Sequence, residues 1–170
     1  MFSPGDLVVY GGEGVCRVEK IGPAGVPGAD KSKLYYTLLP LYRTGQVLTP
    51  VDTRVLIRPV ASREEAEHLV KMLPDMAAEE PSAAANPRLL KERYHEIVTS
   101  YDCCRQARLI RAIAVRRRRA LSSGKKPSQL DERYGKRAEE QLYGELAVAL
   151  EIQRSEVEGY IRRSCPTWPE

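Results

Sequence analysis

Two β-rich runs, at residues 7–10 and 15–21, flank a glycine-rich turn near the start of the chain. In the second run the apolar residues Cys16 and Val18 alternate with charged residues. Such alternation predicts a strand with one face on a core and the other in water. Glycines permit the backbone angles of a tight reversal. The pattern therefore predicts an opening β-hairpin, which needs further strands to bury its inner face.

Three more short runs rich in apolar residues follow, at residues 33–39, 46–49 and 55–58. Pro40 and Pro50 cannot donate to a sheet ladder, so they mark strand ends or edges. Five short strands within about sixty residues are typical of a small antiparallel barrel or a strongly bent sheet.

The pattern then changes to helical spacing. A Ser-x-x-Glu capping box at residues 62–65 predicts a helix that ends before Pro74. Residues 75–85 are small, acidic and unpatterned, which is typical of a linker. Asn86 followed by Pro87 predicts the first residues of another helix.

Three further amphipathic helices are predicted, from about Asp102 to Leu121, from Ser128 to Leu150, and after a cap at 155–158. Helices of this kind with short loops form a compact bundle. We therefore expect an α+β protein in four parts. These are a domain of strands at 1–60, a helix and linker at 61–85, a helical domain at 86–165, and a tail at 166–170 that contains the single tryptophan, Trp168.

The two halves of the chain differ in charge. Residues 1–80 contain nine Lys and Arg against eleven Asp and Glu, a balance of −2. Residues 81–170 contain eighteen against twelve, a balance of +6, which gives the whole chain a net charge of +4. Within 101–126, nine basic residues stand against the single acid Asp102. A basic half joined to a near-neutral half indicates two tasks, one of them electrostatic.

The basic segment favours contact with phosphates. Its cations are Arg105, Arg108, Arg111, Arg116, Arg117, Arg118, Arg119, Lys125 and Lys126. Cations near a helix C-terminus suit the helix dipole, but that explains only one or two of them. The others repel one another unless phosphates bind. A nucleic-acid backbone is therefore the expected partner, and a merely solvated face is the alternative.

Residues suited to catalysis are few. His68 and His95 stand on different predicted helices, without a nucleophile or carboxylate at the spacing of a triad or metal site. The four cysteines fit neither a zinc site nor a disulfide framework, so we expect reduced thiols. We expect no enzymatic activity, no cofactor and no metal. Because there is no apolar run of about 18 residues and no secretory segment before Phe2, we expect a cytoplasmic protein without a membrane partner.

Several short motifs occur in an order and spacing known from one family. In the first half they are Gly5-Asp6-x-Val8-Val9-Tyr10, Gly14, Val18-Glu19-x-Ile21, Thr49-Pro50-Val51-Asp52 and Arg58. In the helical half they are Asp102, Leu142-x-Gly144-Glu145-Leu146-Ala147 and Leu150-Glu151-Ile152. Together they resemble the CarD/CdnL group of bacterial transcription regulators. The first domain is also similar to the polymerase-interacting module of the transcription-repair coupling factor.

The resemblance implies a Tudor-like five-stranded antiparallel β-barrel that docks on the RNA polymerase β subunit. It also implies an all-α helical bundle that contacts promoter DNA beside the melted region, through the phosphate backbone and the minor groove. Such a protein is a nucleoid-associated regulator that modulates open-complex stability and is not an enzyme. We expect it to be monomeric.

The chain departs from the family pattern at two positions. Family members place a tryptophan wedge at the start of the first C-terminal helix, where this chain has Pro87. A basic residue that some members carry just before the proline of the fourth strand is replaced by Leu48 and Thr49. Docking then depends on the edge of the strand and its shape rather than on a cation.

These considerations predict two binding surfaces. The predicted polymerase-binding residues are Tyr35, Arg43, Val47, Leu48, Thr49 and Pro50. The predicted DNA-binding residues are Pro87, Arg88, Lys91, Arg93, Arg105, Arg108, Arg116, Arg117, Arg119, Lys125 and Lys126, whose cations are expected to contact phosphates without reading base sequence. The alternative is a polymerase-binding adaptor that makes no productive contact with DNA, since the tryptophan wedge is missing.

Overall fold

The opening hairpin forms as the alternating pattern predicts. Strand β1 (Leu7–Tyr10) pairs antiparallel with strand β2 (Gly14–Pro23). Cys16 and Val18 are fully buried, whereas the charged residues that alternate with them are exposed. Gly12, in the turn between the strands, has a φ angle of 89°, which is costly for any residue with a Cβ atom.

The computed structural model describes residues 1–78 and 86–170. The chain forms two units, Met1–Val60 and Ala61–Glu170. Most of the predicted linker, residues 79–85, lies outside the described residues.

The first unit is an antiparallel sheet of five strands in the order β4-β3-β2-β1-β5. Strand β3 (Leu34–Pro40) pairs with β2, β4 (Val47–Pro50) pairs with β3, and β5 (Ile57–Pro59) pairs with β1. The register shifts between Val18 and Lys20 of β2. An irregularity of this kind bends a strand and increases its twist.

The predicted five-stranded antiparallel sheet is confirmed, but the prediction that it closes into a barrel is wrong. β4 and β5 are the two outer strands and do not pair with each other. They are only four and three residues long, and both end in proline, which has no N–H to donate to a ladder. Val51, just after β4, and Ile57, the first residue of β5, still pack against the core.

The second unit contains five α-helices within the described residues. They are α1 (Arg63–Met72), α2 (Pro87–Ser100), α3 (Cys103–Ser122), α4 (Gln129–Leu150) and α5 (Val157–Ser164). The predicted capping box is present: the Glu65 N–H donates to Ser62 Oγ at 3.1 Å, and the Ser62 N–H donates to the Glu65 carboxylate at 2.7 Å. Side-chain oxygens of Asn86, Asp102 and Ser128 cap the next three helices.

The start of α5 differs from the prediction. A short 3-10 helix, Arg154–Glu156, precedes α5. The Gln153 N–H donates to the Glu156 carboxylate at 2.8 Å. The cap therefore lies two residues before the predicted box at 155–158.

Trp168 belongs to the core of the second unit. It is only 1% exposed, and its indole N–H donates to the Tyr143 hydroxyl at 2.8 Å. The guanidinium carbon of Arg111 lies 5.9 Å from the centre of the indole ring. The segment that follows α5 thus contributes a core side chain, which the amino-acid pattern alone did not reveal.

Candidate functional site

The first candidate surface is the outer edge of β4. Just beyond the strand, the Val51 N–H donates to the Leu34 carbonyl at 3.0 Å, and Pro50 stands opposite Tyr35. Hydrogen-bonded and non-hydrogen-bonded pairs alternate along an antiparallel ladder, so Leu48 lies in a non-hydrogen-bonded pair with β3. The N–H and C=O of Leu48 therefore point away from the sheet, whereas Pro50 has no N–H to offer.

The side chains of β4 are divided between core and surface. Leu48 is 37% exposed, and Val47 and Pro50 are half-buried. Thr49 is only 3% exposed, and its Oγ1 accepts a hydrogen bond from the Tyr10 hydroxyl at 3.1 Å. Of the predicted docking residues in β4, Leu48 thus presents the most side chain, and Thr49 holds the sheet together from inside.

The other two predicted docking residues lie apart. Tyr35 is half-buried at the β4 edge, and its hydroxyl accepts from the Asp30 N–H at 3.2 Å. Arg43 lies in the loop between β3 and β4 and forms an ion pair with Glu13 at 3.3 Å. Because Glu13 belongs to the β1–β2 turn, Arg43 lies at that turn.

The second candidate surface lies where α2, α3 and α4 meet. Asp131, in the first turn of α4, is 3% exposed. Its carboxylate accepts from the Tyr94 hydroxyl at 2.8 Å and from Arg116 Nε at 2.9 Å. These two bonds hold the middle of α2 and the second half of α3 against the start of α4. We call this region the basic end; its exposed cations are Arg88, Lys91, Arg117, Arg118, Arg119, Lys125 and Lys126.

Three consecutive arginines at the basic end have acidic partners from other parts of the chain. Arg116 pairs with Asp131, Arg117 pairs with Glu132 at 3.4 Å, and Arg118 pairs with Glu170 at 2.6 Å. These carboxylates lie outside residues 101–126, so a count of acids within that segment misses them. The prediction of nearly unopposed cations is therefore wrong, because much of their repulsion is relieved within the protein.

Arg116 stabilises the interior through its ion pair with the buried Asp131. Burial opposes its charge, but the hydrogen bond from Arg116 to Asp131 and the nearby Tyr94 hold the pKa of Arg116 above its ordinary value. Burial, and after it the bond to Asp131, also raises the pKa of Tyr94. Arg116 therefore stays charged and balances a buried carboxylate.

Arg105 and Arg93 share one acidic partner, and Arg105 lies apart from the basic end. Arg105 precedes Arg116 by eleven residues, which is about 16 Å along a helix. Both Arg105 and Arg93 pair with Glu96, at 3.1 and 3.5 Å. The hydrogen bond from Arg105 holds the pKa of the Glu96 carboxyl below its ordinary value. Arg108, between the two regions, is exposed.

Arg111 is a structural residue. It is 9% exposed, and its Nη1 donates to the carbonyls of Leu73 and Met76 at 2.7 and 2.6 Å. Its Nη2 donates to Cys165 Sγ at 3.3 Å. Arg111 thus joins the residues after α1 to the segment after α5, and it does not belong to an exposed basic stripe.

Pro87 is exposed at the first position of α2. Asn86 Oδ1 accepts from the N–H groups of Arg88 and Leu89 at 3.1 and 3.4 Å, so the predicted Asn-Pro helix start is confirmed. Leu89 is 49% exposed in the same turn. The predicted DNA-binding set did not include Leu89, which lies between Arg88 and the buried Leu90.

Residues 2–61 match the family model of the CarD-like/TRCF RID domain, a non-enzymatic protein-interaction domain. The first unit therefore belongs to this family of RNA polymerase-interacting domains, and the predicted resemblance is confirmed for it. No curated protein matches the chain. Among the helices of residues 1–78 and 86–170, none combines the length and apolar content needed to cross a membrane.

Proposed function

We propose that the protein docks on the RNA polymerase β subunit through the β4 edge, contacts promoter DNA through the basic end, and thereby modulates the stability of the open complex. The observation that carries this proposal is an RID domain whose outer strand directs the Leu48 N–H and C=O away from the sheet. Such an edge accepts a strand from a partner, and main-chain hydrogen bonds supply the affinity. The absence of a cation before Pro50 does not weaken main-chain pairing.

The docking proposal is tested with two substitutions at one position. Leu48→Pro removes the outward N–H and leaves the ladder to β3 intact, because the Leu48 N–H does not donate to β3. Leu48→Ala keeps the N–H and removes most of the side chain. We expect immobilised β subunit to retain the alanine variant and to lose the proline variant, with both melting near the wild-type temperature. Equal retention of two folded variants refutes strand pairing at this edge.

For DNA, the exposed cations of the basic end support the proposal. Lys125, Lys126, Lys91 and Arg88, the last of which pairs with Glu92 at 3.3 Å, are exposed at the basic end, and the exposed Pro87, next to Arg88 in sequence, is the proposed apolar contact for the minor groove. Each phosphate that the protein neutralises makes the slope of log K against log salt more negative by about 0.9. We expect the double variant Lys125→Gln/Lys126→Gln to make this slope shallower by about 1–2. Lys71→Gln, an exposed lysine on α1, is the matched control, and equal slopes for the two variants contradict the proposal.

The ion pairs of Arg116, Arg117 and Arg118 favour a second candidate function. Cations already neutralised by Asp131, Glu132 and Glu170 gain less from phosphates. The protein then acts as an adaptor that binds polymerase without productive contact with DNA. The adaptor is supported if the protein is retained on polymerase but leaves the lifetime of the open complex unchanged. The first proposal is supported if the wild-type protein changes this lifetime and the double lysine variant does not.

A further inference from the structure

The end of α3 places a serine directly after the run of four arginines. Arg119 and Arg117 stand three and five residues before Ser122, which is the last residue of the helix. Ser122 is the one serine or threonine of the sequence that has an arginine three residues before it. Protein kinases select their substrates partly by charge pattern, and the basophilic kinases select arginines at these two spacings. The segment 117–122 therefore has the charge pattern of a phosphorylation site.

This part of α3 is open to an enzyme. Every residue of α3 after Ile113 is half-buried or exposed. The side chains of Arg117 and Arg118 are 57% and 59% exposed. A kinase binds its substrate as an extended segment, so the last turn of the helix has to unwind. Segments with few buried contacts open most easily, and the buried bond from Arg116 to Asp131 lies before the part that unwinds.

The helix ends without using the Ser122 side chain. Gly124 has a φ angle of 71°, and its N–H donates to the Leu121 carbonyl at 3.1 Å. The Lys125 N–H donates to the Ala120 carbonyl at 2.9 Å. These two bonds form the Schellman arrangement that ends many helices at a glycine. Because backbone groups satisfy these carbonyls, a modified Ser122 side chain leaves the cap in place.

Two other exposed serines also follow basic residues, but each differs from Ser122. Ser164 ends α5 directly after two arginines, yet Ile161 stands three residues before it. Lys125 stands three residues before Ser128, but the Ser128 hydroxyl accepts from the Asp131 N–H at 3.4 Å and caps α4. Ser164 lacks the spacing, and Ser128 is already used by the fold.

We propose that Ser122 is phosphorylated by a serine/threonine protein kinase that selects arginine, and that the phosphate weakens the contact of the basic end with DNA. The second part rests on the function proposed above. In the reaction, Ser122 Oγ forms a bond to the γ-phosphorus of ATP, and the bond from this phosphorus to the β-phosphate oxygen breaks. ADP leaves, and a carboxylate of the kinase accepts the hydroxyl proton.

The expected effect on DNA follows from the added charge. A phosphoserine carries a charge of about −1.5 to −2 at pH 7 and three acceptor oxygens. Arg118 and Arg119 precede Ser122 by four and three residues, which places all three on neighbouring positions of one helix face. The negative end of the helix dipole repels a phosphate, so these guanidinium groups are the ones that hold it. Guanidinium groups that bind this phosphate are lost to the phosphates of DNA.

The test is incubation of the full chain with ATP and a purified basophilic kinase, after which tandem mass spectrometry locates the phosphate. We expect Ser122 to be phosphorylated roughly tenfold faster than Ser164, the control serine in the same molecule. Phosphorylated wild-type protein should bind promoter DNA about tenfold more weakly at low salt, with a salt slope shallower by about 1–2. Ser122→Ala, treated with the kinase in the same way, should bind DNA as the untreated protein does.

Equal rates at Ser122 and Ser164, or no phosphate at Ser122, overturn the proposed site. A synthetic peptide of residues 114–125 is treated beside the protein. If the peptide is phosphorylated and the folded chain is not, the end of α3 does not unwind and the proposal is wrong. If phosphate at Ser122 leaves the DNA affinity of a DNA-binding protein unchanged, the proposed effect is wrong. If the unmodified protein does not bind DNA, the function proposed above fails, whereas phosphorylation at Ser122 still supports the site.

Discussion

Replacement of Trp168 should destabilise the helical unit without weakening the proposed DNA binding. The side chain is 1% exposed in the core, and its N–H donates to the Tyr143 hydroxyl. Truncation of a buried tryptophan to alanine costs about 3–5 kcal/mol. At about 4 °C per kcal/mol for a unit of about 100 residues, Trp168→Ala should lower the Tm by about 12–20 °C. Circular dichroism at increasing temperature measures this loss.

Tyr143→Phe is the matched variant, because it removes only the hydroxyl that the indole N–H meets. It should cost about 1–3 kcal/mol, the penalty for a buried donor without a partner. Neither variant should change the salt dependence of the proposed DNA binding below its melting temperature, since Trp168 is buried. A loss below about 1 kcal/mol for Trp168→Ala, or the red-shifted emission of a solvated indole in the wild type, would refute this reasoning.

Three further predictions follow from the ion pairs and the buried tyrosine. Arg116→Gln should lower the free energy of unfolding, measured in urea, by about 2–3 kcal/mol, because it leaves the carboxylate of Asp131 without its cation. Arg117→Gln should lower it by only about 0–1 kcal/mol, because the pair of Arg117 with Glu132 is exposed. Equal costs would contradict the burial argument. Glu170→Gln should release Arg118 and make the salt slope of DNA binding steeper by up to about 1, and an unchanged slope argues against phosphate contact by Arg118. Burial and the bond to Asp131 raise the pKa of Tyr94 above 10.0, so its protonated form stabilises the fold below pH 10 and this stability is lost at higher pH. Tyr94→Phe should therefore lose stability less steeply above pH 10 than wild type, and identical slopes in pH-dependent melting count against this.

The hairpin and most helix starts could be predicted because they depend on residues close together in sequence. The alternation around Cys16 and the caps at Ser62, Asn86, Asp102 and Ser128 need no knowledge of distant contacts. The predicted box at 155–158 is an exception, since Gln153 and Glu156 instead form the cap of the 3-10 helix before α5, and no side chain caps α5 itself.

The features that were missed depend on which distant residues meet. Asp131 lies fifteen residues from Arg116, and Glu170 lies fifty-two residues from Arg118. A count of charges within residues 101–126 therefore could not include the carboxylates that pair with these arginines. The burial of Trp168 follows from its meeting with Tyr143, twenty-five residues away. The pairing of β4 with β5 likewise depends on how strongly the whole sheet bends, and local sequence patterns do not determine that bend.

Hydrogen exchange at the Leu48 amide, measured with and without the polymerase β subunit, tests the proposed docking edge most directly. The Leu48 N–H points away from β3, so it should exchange fast in the free protein. We predict that exchange slows at least tenfold in the complex, while the amide of Gly25, in the exposed loop after β2, keeps its rate. If the β subunit binds and the Leu48 amide continues to exchange at its free rate, docking does not occur by strand pairing at β4.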